Sequence, residues 1–451
     1  MDMVKKILIG VFFLFLLTGC TNRNTEQVTI KFIGTSDLHG ALYPYDFIEQ
    51  EEKYGSLASL SGYLSELRSK KENLILLDNG DVLQGDPSVY YDNYIDTTGK
   101  HIVSEIFNYL KYDAGTVGNH DVEPGPAVYK KLTEEFHFPW LAANVIDKRT
   151  GKPYFTPYKI IKKSGIEVAV LGLVTPAIPN WLPEHVYPDM KFQDMMASAS
   201  KWVSVIEDKE NPDFIVGLFH SGLGDTTYKK NSENAVYAIA KNVDGFNLII
   251  FGHDHRPYNK KITSSTGKEV LLMNPGANAK NISEAIVTFS IKDRETHITN
   301  LEGTLVDLRK FNPTPGFRKK FEDHKEQVQS YVDEPITFLS ESIFSGSALR
   351  GPSKWMQLIH ETQLEYTGAD ISLSAPLSID QKIERGHLTV GKLFDLYRYR
   401  NLLYSVRLTG REIKNYLEYS YSNWYATMQD KNDHLINFRI DSNGKPAYSD
   451  T

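Results

Sequence analysis

Five short clusters of Asp, Asn and His carry the side chains of this sequence that could do chemistry. Each follows an apolar run in the first 255 residues, and they read TSDLHG (35–40), DNGDVLQGD (78–86), GNHDVE (118–123), FHSG (219–222) and FGHDH (251–255). A single polar cluster after a strand is more often a hydrogen-bonded structural feature. Five of them in one half of the chain indicate one shared site, because loops at strand ends converge there.

These residue types predict a metal centre. Carboxylate, imidazole and amide ligands suit a borderline-to-hard divalent ion such as Mn²⁺, Zn²⁺ or Fe²⁺, and do not suit a thiolate-type structural zinc site. The clusters offer seven candidate ligands, which is too many for one catalytic ion and suits two. Two ions about 3.5–4 Å apart could share an aspartate, hold a phosphoryl group and lower the pKa of a water towards ~7. We therefore expect metal-activated water to hydrolyse a phosphate ester.

The length and composition predict a globular protein with two domains. The 451 residues exceed one ordinary domain, and 41% hydrophobic, 12% aromatic and 24% charged residues are typical of a folded chain. A net charge of −7 gives no basic field, so we expect no nucleic-acid polymer as a partner. A small phosphorylated metabolite is compatible with this charge, because a local metal site can override it. The oligomeric state does not follow from the sequence.

Strands of an α/β fold are expected to position the polar clusters. Apolar runs of strand length lie at 28–34, 73–80, 140–145, 167–174, 214–219, 248–252 and 269–274. Stretches of helical composition separate these runs. This alternation favours a layered sheet covered by helices.

A domain boundary is expected near residue 310. The segment NPTPG (312–316) breaks the chain, and a linker helix follows until Pro335 stops it. Its apolar residues recur at helical spacing in a charged background, namely Phe317, Phe321, Val328 and Tyr331. The expected parts are therefore a first domain at 28–310, a linker at 311–335 and a second domain at 336–451.

The N-terminus has the pattern of an export signal. A basic start and a short apolar core precede LTGC (17–20), which resembles the end of a bacterial lipoprotein signal. We expect residues 1–20 to be the signal peptide and Cys20 to be lipidated, with 21–27 as a polar tether that holds the protein outside the cytoplasmic membrane. An uncleaved anchor with an incidental cysteine is the alternative. Cys20 is the only cysteine, which excludes a disulfide within the chain.

Taken in order, the motifs D-x-H, GD, GNH(D/E), H and GH-x-H resemble those of calcineurin-type metallophosphoesterases. Together with a second domain, TSDLHG, GNHD and GHDH more narrowly resemble the bacterial 5′-nucleotidase and 2′,3′-cyclic-nucleotide 2′-phosphodiesterase family, over about residues 28–445. The resemblance implies an α/β fold with an N-terminal β-sandwich flanked by helices (α/β/β/α). It also implies a linker helix and an incomplete α+β C-terminal substrate-binding domain.

The resemblance further implies two divalent ions that share one aspartate. The first ion would be held by Asp37, His39, Asp81 and His255, and the second by Asp81, Asn119, His220 and His253. Some family members have Gln in place of His255, and a histidine is compatible with ligation at that position.

By the same resemblance, His120 is the catalytic histidine, which contacts the phosphoryl group and does not ligate a metal. It would stabilise charge on the phosphoryl oxygens and assist the leaving oxygen as a general acid. Many relatives orient this imidazole with an aspartate three residues later, where this chain has Glu123, so we expect a His120–Glu123 pair. The alternative is that Glu123 is a solvated loop residue. Asp121 is expected to turn away and support the loop through local backbone hydrogen bonds.

In this family the second domain binds the base between two aromatic side chains. The segment RYRNLLYSVRLTG (398–410) resembles the family's aromatic-x-Asn element, which makes Tyr399 one stacking face and Asn401 a partner of the base edge. Ordinary packing is the alternative for Tyr399, since the chain has 26 tyrosines.

The second domain departs from the family pattern at two places. The segment SAPLSIDQKIERG (374–386) has no arginine at the position that many 5′-nucleotidases use, and we expect Arg350 to contact phosphate or carboxylate instead. Residues 435–451 look like the middle of the family's C-terminal domain, so the chain is either a fragment or a naturally short member. Without the second stacking aromatic we expect weaker base selectivity and a less stable second domain.

Three functions are compatible with these observations. We favour an extracytoplasmic, lipid-anchored dinuclear phosphoesterase that hydrolyses nucleotides as a 5′-nucleotidase, a 2′,3′-cyclic nucleotide phosphodiesterase or both. One alternative is a phosphatase for sugar phosphates or nucleotide sugars, which the altered 374–386 segment leaves open. The other is a non-catalytic surface lipoprotein on the same scaffold. The intact set of ligands argues against this last function.

Overall fold

Two six-stranded sheets form the centre of the computed structural model of this chain. The structure describes residues 25–293, 295–397, 402–425, 427–428, 430–431, 439–440 and 446–447. The strands are β1 (Glu26–Thr35), β2 (Tyr45–Asp46), β3 (Glu51–Glu52), β4 (Asn73–Asp78), β5 (Ala114–Thr116), β6 (Trp140–Leu141), β7 (Val145–Asp147), β8 (Tyr158–Lys163), β9 (Ile166–Val174), β10 (Met190–Phe192), β11 (Phe214–His220), β12 (Leu248–Phe251), β13 (Tyr258–Thr263), β14 (Glu269–Asn274), β15 (Asn281–Lys292), β16 (Glu295–Asp307), β17 (Pro335–Leu339), β18 (Ile343–Phe344), β19 (Lys382–Ile383), β20 (Gly386–Thr389), β21 (Arg439–Ile440) and β22 (Pro446–Ala447).

Helices alternate with these strands along the chain. They are α1 (Leu57–Ser69), α2 (Pro87–Tyr94), α3 (Ile102–Leu110), α4 (Asn119–Val122), α5 (Pro126–Glu135), α6 (Met195–Glu210), α7 (Val236–Asn242), α8 (Pro315–Val332), α9 (Lys354–Thr367), α10 (Val390–Leu396) and α11 (Gly410–Trp424). Among the described residues, no helix combines the length and the apolar character that crossing a membrane requires.

Each large sheet contains four parallel strands, with antiparallel strands at one edge of the first sheet and at both edges of the second. The first sheet runs in the order β16-β15-β1-β4-β5-β6, and β1, β4, β5 and β6 are parallel. The second sheet runs in the order β13-β14-β12-β11-β9-β8, and β14, β12, β11 and β9 are parallel. Since parallel strands end at the same edge, each sheet gathers several strand ends where loops can build a site.

One of the three hydrophobic cores lies between the two sheets. Ile30 and Phe32 of β1 point towards the second sheet, and the ring of Phe32 stacks on Phe214 of β11 with the ring centroids 5.2 Å apart. Helices α1, α3 and α8 pack on the outer face of the first sheet, and α6 and α7 pack on the outer face of the second. The layer order is therefore helix, sheet, sheet, helix, which confirms the predicted α/β/β/α fold class.

The apolar run at 140–145 forms two short strands and not the single strand that its composition predicts. Leu141 of β6 pairs with β5, whereas Val145 of β7 pairs with β10. The buried Asn144 between them donates from its amide to the carbonyl oxygen of Val174 at 2.7 Å and accepts from the Val174 backbone N–H at 3.0 Å. These side-chain hydrogen bonds replace a strand ladder at this point.

The predicted linker helix is present as α8. Thr314 caps the first turn by accepting from the backbone N–H of Phe317. Pro315 lies in this first turn, where a backbone N–H has no acceptor within the helix, so no helical hydrogen bond is lost. The buried residues lie on one stripe of the helix, namely Phe317, Phe321, Val328 and Val332. Tyr331, which the sequence places on this stripe, lies half-buried at its edge, because Val332 occupies the inward position.

The chain divides into two compact units, 1–342 with 383–399 and 343–382 with 400–451. The first unit thus takes in two stretches that the sequence assigns to the second domain. These two stretches, 336–342 and 383–399, pair with each other through β17 and β20. The second stretch also contacts the rest of the first unit, because the ring of Phe394 in α10 lies 5.4 Å from the ring of Tyr90, measured between centroids. In the second unit, α9 buries Trp355 and Ile359. The domain bounds stay a prediction.

Candidate metal centre

The predicted metal ligands lie at or just after the carboxyl ends of parallel strands. Asp37 and His39 follow β1, Asp81 follows β4, Asn119 follows β5, His220 ends β11, and His253 and His255 follow β12. Both sheets therefore contribute ligands, because β1, β4 and β5 belong to the first sheet and β11 and β12 to the second.

The first cluster contains Asp37, His39 and His255. Each offers one ligand atom, and these atoms lie within 4.8 Å of one another. The Nε2 atoms of His39 and His255 are 3.0 Å apart, and His255 Nε2 lies 3.4 Å from Asp37 Oδ1. Asp37 is fully buried, while 49% of the His255 side chain is exposed, so the cluster opens to solvent on one side.

The second cluster contains Asp81, His220 and His253, again with ligand atoms within 4.8 Å of one another. His220 Nε2 lies 3.0 Å from Asp81 Oδ2 and 3.1 Å from Asn119 Oδ1, which places the predicted amide ligand beside this cluster. His220 Nδ1 contacts the carbonyl oxygen of Asn79 at 2.7 Å, and this contact turns Nε2 towards the site. The structure thus brings the seven predicted ligands together, while their roles stay a prediction.

The backbone joins the two clusters through the loops after β1 and β4. Asp37 N–H donates to the carbonyl oxygen of Gly80, and His39 N–H donates to that of Asp81, each at 2.9 Å. The Asp37 carboxylate in turn accepts from the backbone N–H of His253 at 2.9 Å. Hydrogen bonds between the loops therefore link the two clusters.

Asp121 holds the loop that carries Asp81. Its carboxylate accepts from the local backbone N–H of Gly118 at 2.8 Å, as expected from the sequence. It also accepts from the N–H groups of Asp81 at 2.8 Å, Val82 at 2.9 Å and Leu83 at 3.2 Å, across some 40 residues of sequence. The role of Asp121 thus extends beyond the local support that the sequence predicts.

Five predicted ligands lie in the left-handed region of backbone conformation. Their φ values fall between 47° and 75°, and the residues are Asp37, His39, Asp81, His253 and His255. Residues other than glycine adopt this region rarely and at a cost in energy, and such residues concentrate at functional sites. The hydrogen bonds between the loops maintain this conformation.

Two glycines beside the ligands allow the loops to approach closely. A Cβ atom on Gly118 would lie 2.1 Å from Asp81 Oδ1, and one on Gly252 would lie 2.2 Å from Asp37 Oδ2. Any larger residue would displace these carboxylates. The sequence analysis missed this requirement, although each glycine directly precedes a predicted ligand.

The two aspartates of the centre have lowered pKa values, which favours their ionised form. Burial raises the pKa of Asp81, but the charge and hydrogen bond of His220 outweigh it and hold the pKa well below its usual range. Burial likewise opposes the ionisation of Asp37, but the hydrogen bond from His255 keeps its pKa below the ordinary value. Each ionised carboxylate lies 3.0–3.4 Å from an imidazole nitrogen. Carboxylate oxygens and imidazole nitrogens grouped in this way are suitable ligands for divalent ions.

His120 belongs to neither cluster and pairs with Glu123. Its Nδ1 atom lies 2.7 Å from Glu123 Oε2, and its backbone N–H donates to Asp81 Oδ1 at 2.8 Å. Burial lowers the pKa of His120, but the charge of Asp81 and the hydrogen bond to Glu123 outweigh it and raise the pKa to about 9. The expected contact between His120 and Glu123 is therefore present, and the Nε2 atom of His120 is left for another partner.

Glu123→Gln is expected to reduce kcat about fivefold and to move the alkaline limb of the pH–rate profile to lower pH. The change replaces a charged hydrogen bond by a neutral one, a difference of about 1 kcal/mol, which corresponds to roughly fivefold in rate. Loss of the Glu123 charge also lowers the pKa of His120, so the imidazole loses its proton at lower pH. Steady-state kinetics over a pH series measure both effects.

Glu184→Gln serves as the control, because Glu184 pairs with Lys148 at the surface. It should leave both the rate and the profile unchanged. A wild-type rate and profile in Glu123→Gln would show that the contact of Glu123 with His120 does not contribute to catalysis.

Some predicted residues lie outside the described part of the chain. These are Tyr399, Asn401 and Cys20, the last together with the signal peptide. Arg350 ends a short helical turn at Ser345–Arg350, but its side chain is not described. Conversely, Glu233 and Trp181 contact His253 and were missed by the sequence analysis. They lie in loops without a motif, so no local signal could have indicated them.

A two-sheet sandwich that gathers carboxylate, amide and imidazole groups at its strand ends defines a metal-dependent phosphoesterase. The family model for calcineurin-like phosphoesterases matches residues 30–257, and that for the 5′-nucleotidase C-terminal domain matches residues 335–448. The chain belongs to the calcineurin-like phosphoesterase family and carries a 5′-nucleotidase-type C-terminal domain. It is thus a hydrolase, and members of this family use divalent metals.

Several similar proteins have names that describe activity on nucleotides. The 2′,3′-cyclic-nucleotide 2′-phosphodiesterase/3′-nucleotidase of Yersinia enterocolitica is 26% identical, over 90% of this chain and 70% of its own length. The trifunctional nucleotide phosphoesterase YfkN of Bacillus subtilis is 26% identical, over 87% of this chain and 30% of its own. A putative 5′-nucleotidase from Staphylococcus aureus shares the fold, with a TM-score of 0.71 and 21% identity over 88% of this chain and 78% of its own.

Proposed function

We propose that the chain hydrolyses nucleotides with two divalent ions, as a 5′-nucleotidase, a 2′,3′-cyclic-nucleotide phosphodiesterase or both. The observation that carries this proposal is the pair of three-residue clusters, Asp37/His39/His255 and Asp81/His220/His253, joined through the backbone at Asp81. The names of the relatives support nucleotides as the substrate class.

The two ions would be held by the two ligand sets, with Asp81 shared between them. The first set is Asp37, His39, Asp81 and His255, and the second is Asp81, Asn119, His220 and His253. When bound, such ions stabilise charge on a phosphoryl group and supply a nucleophile from water at neutral pH. Mn²⁺, Zn²⁺ and Fe²⁺ all suit this mixture of oxygen and nitrogen ligands.

His120 would act on the phosphoryl group from beside the clusters. Its Nδ1 atom is occupied by Glu123 at 2.7 Å, so Nε2 is available to donate a hydrogen bond to a non-bridging oxygen. A proton held at Nε2 can pass to the leaving oxygen as the ester bond breaks. Glu123 fixes the tautomer and the plane of the ring, and Asp121 holds the loop on which Asp81 lies.

The second domain would bind the organic part of the substrate. Tyr399 would stack on the base, Asn401 would bind its edge, and Arg350 would contact phosphate or carboxylate. The proposed location is outside the cytoplasmic membrane, with the chain anchored by a lipid on Cys20. The basic and apolar start followed by LTGC supports this location.

The test combines metal removal with a substrate panel. Exhaustive chelation should abolish hydrolysis of a phosphodiester dye, and adding back Mn²⁺ or Zn²⁺ should restore it. The reloaded protein is then assayed against nucleoside 5′- and 3′-monophosphates, 2′,3′-cyclic nucleotides, sugar phosphates and nucleotide sugars. We expect kcat/KM to be highest for a nucleotide.

Other outcomes would overturn the proposal in distinct ways. Full activity after chelation would contradict the dinuclear mechanism. A preference for sugar phosphates or nucleotide sugars would replace the substrate class, and the absence of all hydrolysis in an ion-loaded protein would indicate a non-catalytic scaffold.

A further inference from the structure

Glu233 contacts a predicted ligand of the second cluster from outside that cluster. Its Oε1 atom lies 2.8 Å from His253 Nε2, and 46% of the Glu233 side chain is exposed. The imidazole of His253 is itself mostly buried, with 11% of its side chain exposed. Glu233 is therefore a charged group at the rim of the centre that has no place in either ligand set.

The backbone around Glu233 is fixed to the strand that carries His220. Ser221 Oγ donates to the carbonyl oxygen of Glu233 at 2.7 Å and accepts from the backbone N–H of Ala235 at 3.0 Å. The next residue, Asn234, accepts from the backbone N–H of Gly222 at 3.0 Å. The carboxylate of Glu233 thus has a defined position relative to the second cluster although its side chain is half-exposed.

The ring of His253 is constrained on three sides. Glu233 occupies Nε2, the ring of Trp181 lies over it with centroids 5.6 Å apart at 35°, and the ring of His220 meets it edge-on at 5.3 Å. With Nε2 engaged, Nδ1 is the nitrogen of His253 that remains for a metal. An imidazole that ligates through one nitrogen needs a hydrogen-bond acceptor at the other to fix its tautomer and orientation.

We infer that Glu233 is a positioning residue for the second ion, which holds His253 so that Nδ1 faces the ion. This inference rests on the proposed function, since it requires a dinuclear centre. Glu233 accepts a hydrogen bond from Nε2–H, which directs the lone pair of Nδ1 towards the ion and raises the basicity of that nitrogen as a ligand. It acts only through His253, and the first ligand set does not depend on it.

The inference is tested by measuring ion binding and not turnover. Metal-free wild type and Glu233→Ala are titrated with Mn²⁺ in equilibrium dialysis, and bound Mn²⁺ is counted by atomic spectrometry. Wild type should bind two ions. In Glu233→Ala the dissociation constant of one ion should rise about 10- to 100-fold while that of the other stays unchanged. Glu233→Gln should give a smaller rise, because its amide oxygen still accepts from Nε2.

Glu295→Ala is the matched control. Glu295 also faces a histidine, with its Oε2 atom 3.7 Å from His297 Nε2, but both side chains are exposed and far along the chain from the ligands. This variant should bind both ions as wild type does. The unfolding midpoint of the metal-free protein should be the same in all variants, which separates positioning of His253 from a general loss of structure.

Two results would overturn the inference. Unchanged binding of both ions in Glu233→Ala, or an equal loss of both, would show that Glu233 does not act on the second ion. If wild type itself fails to bind two ions, the proposed dinuclear function is wrong, and so is this inference. If wild type binds two ions and Glu233→Ala binds them equally well, only this inference is wrong. The two failures are therefore distinguishable.

Discussion

Asp81→Ala is expected to lose ion binding and to reduce kcat/KM by at least about 10³-fold. Asp81 is the residue that both predicted ligand sets share, and its carboxylate also contacts His220 Nε2 and the backbone N–H of His120. Metal-supplied stabilisation of the transition state is worth several kcal/mol, and each 1.36 kcal/mol corresponds to tenfold in rate. Metal content by atomic spectrometry and steady-state kinetics measure the two effects.

Asp78→Asn is the control for this experiment, because Asp78 is equally buried and lies only three residues away. Burial raises the pKa of Asp78 well above its usual value, and its carboxyl oxygens accept from Thr35 Oγ1 at 2.7 Å and from Gly80 N–H at 2.9 Å. The amide oxygen of the variant can still accept from Gly80 N–H, and its NH₂ group can donate to Thr35 Oγ1 in place of the bond now accepted there. Ion content should therefore not change. The companion variant Asp81→Asn retains the volume of the side chain and leaves no cavity. A loss of ions in this variant would therefore reflect the lost carboxylate and not misfolding. Two tightly bound ions in Asp81→Ala would contradict the shared-ligand assignment.

His120→Ala should lower kcat by about 10²–10⁴-fold while both ions remain bound. A general acid that also stabilises phosphoryl charge contributes about this much. The backbone N–H of residue 120 still donates to Asp81 in the variant, so the second cluster keeps its support. The measurement is kcat under saturating substrate together with ion content of the same preparation.

His137→Ala provides the comparison for His120→Ala. His137 is exposed, and its contact with Asn108 is made by the backbone N–H, which alanine retains. We expect full activity from it. Loss of an ion in His120→Ala would instead make His120 a ligand, and a rate near wild type would remove it from catalysis.

The sequence predicts the ligands of this centre because strands and ligands leave local signals. Asp37 and His39 follow an apolar run that forms β1, and His253 and His255 follow one that forms β12. Strand ends in parallel sheets share an edge, so runs that are far apart in sequence indicate one site. The same signals predict a layered sheet covered by helices, since periodicity and length separate strands from helices. The α/β/β/α order of the layers was predicted from the resemblance to metallophosphoesterases.

Contacts made by isolated loop residues are not predictable in this way. Asp121 was expected to bond locally, but its carboxylate reaches Asp81, Val82 and Leu83 on another strand's loop. Glu233 reaches His253 from a segment that has no motif. Such contacts depend on how loops from different strands fold against each other, which propensity and spacing do not encode. For the same reason, Val145 could not be assigned to a separate strand from the run at 140–145.

The left-handed conformation at five predicted ligands means that the residue types expected for function differ from those expected for stability. Asp37, His39, Asp81, His253 and His255 each lie where glycine would be relaxed, and each costs about 1 kcal/mol relative to a residue without that strain. If a variant library of this chain were selected for thermal stability alone, glycine should accumulate at the three histidine positions. Asp37 and Asp81 should persist, because their buried carboxylates accept backbone hydrogen bonds from His253 and His120. Selection for phosphate-ester hydrolysis should keep all five side chains. Comparing the two selections would outline the catalytic centre from backbone energetics, with no ligand needed to find it.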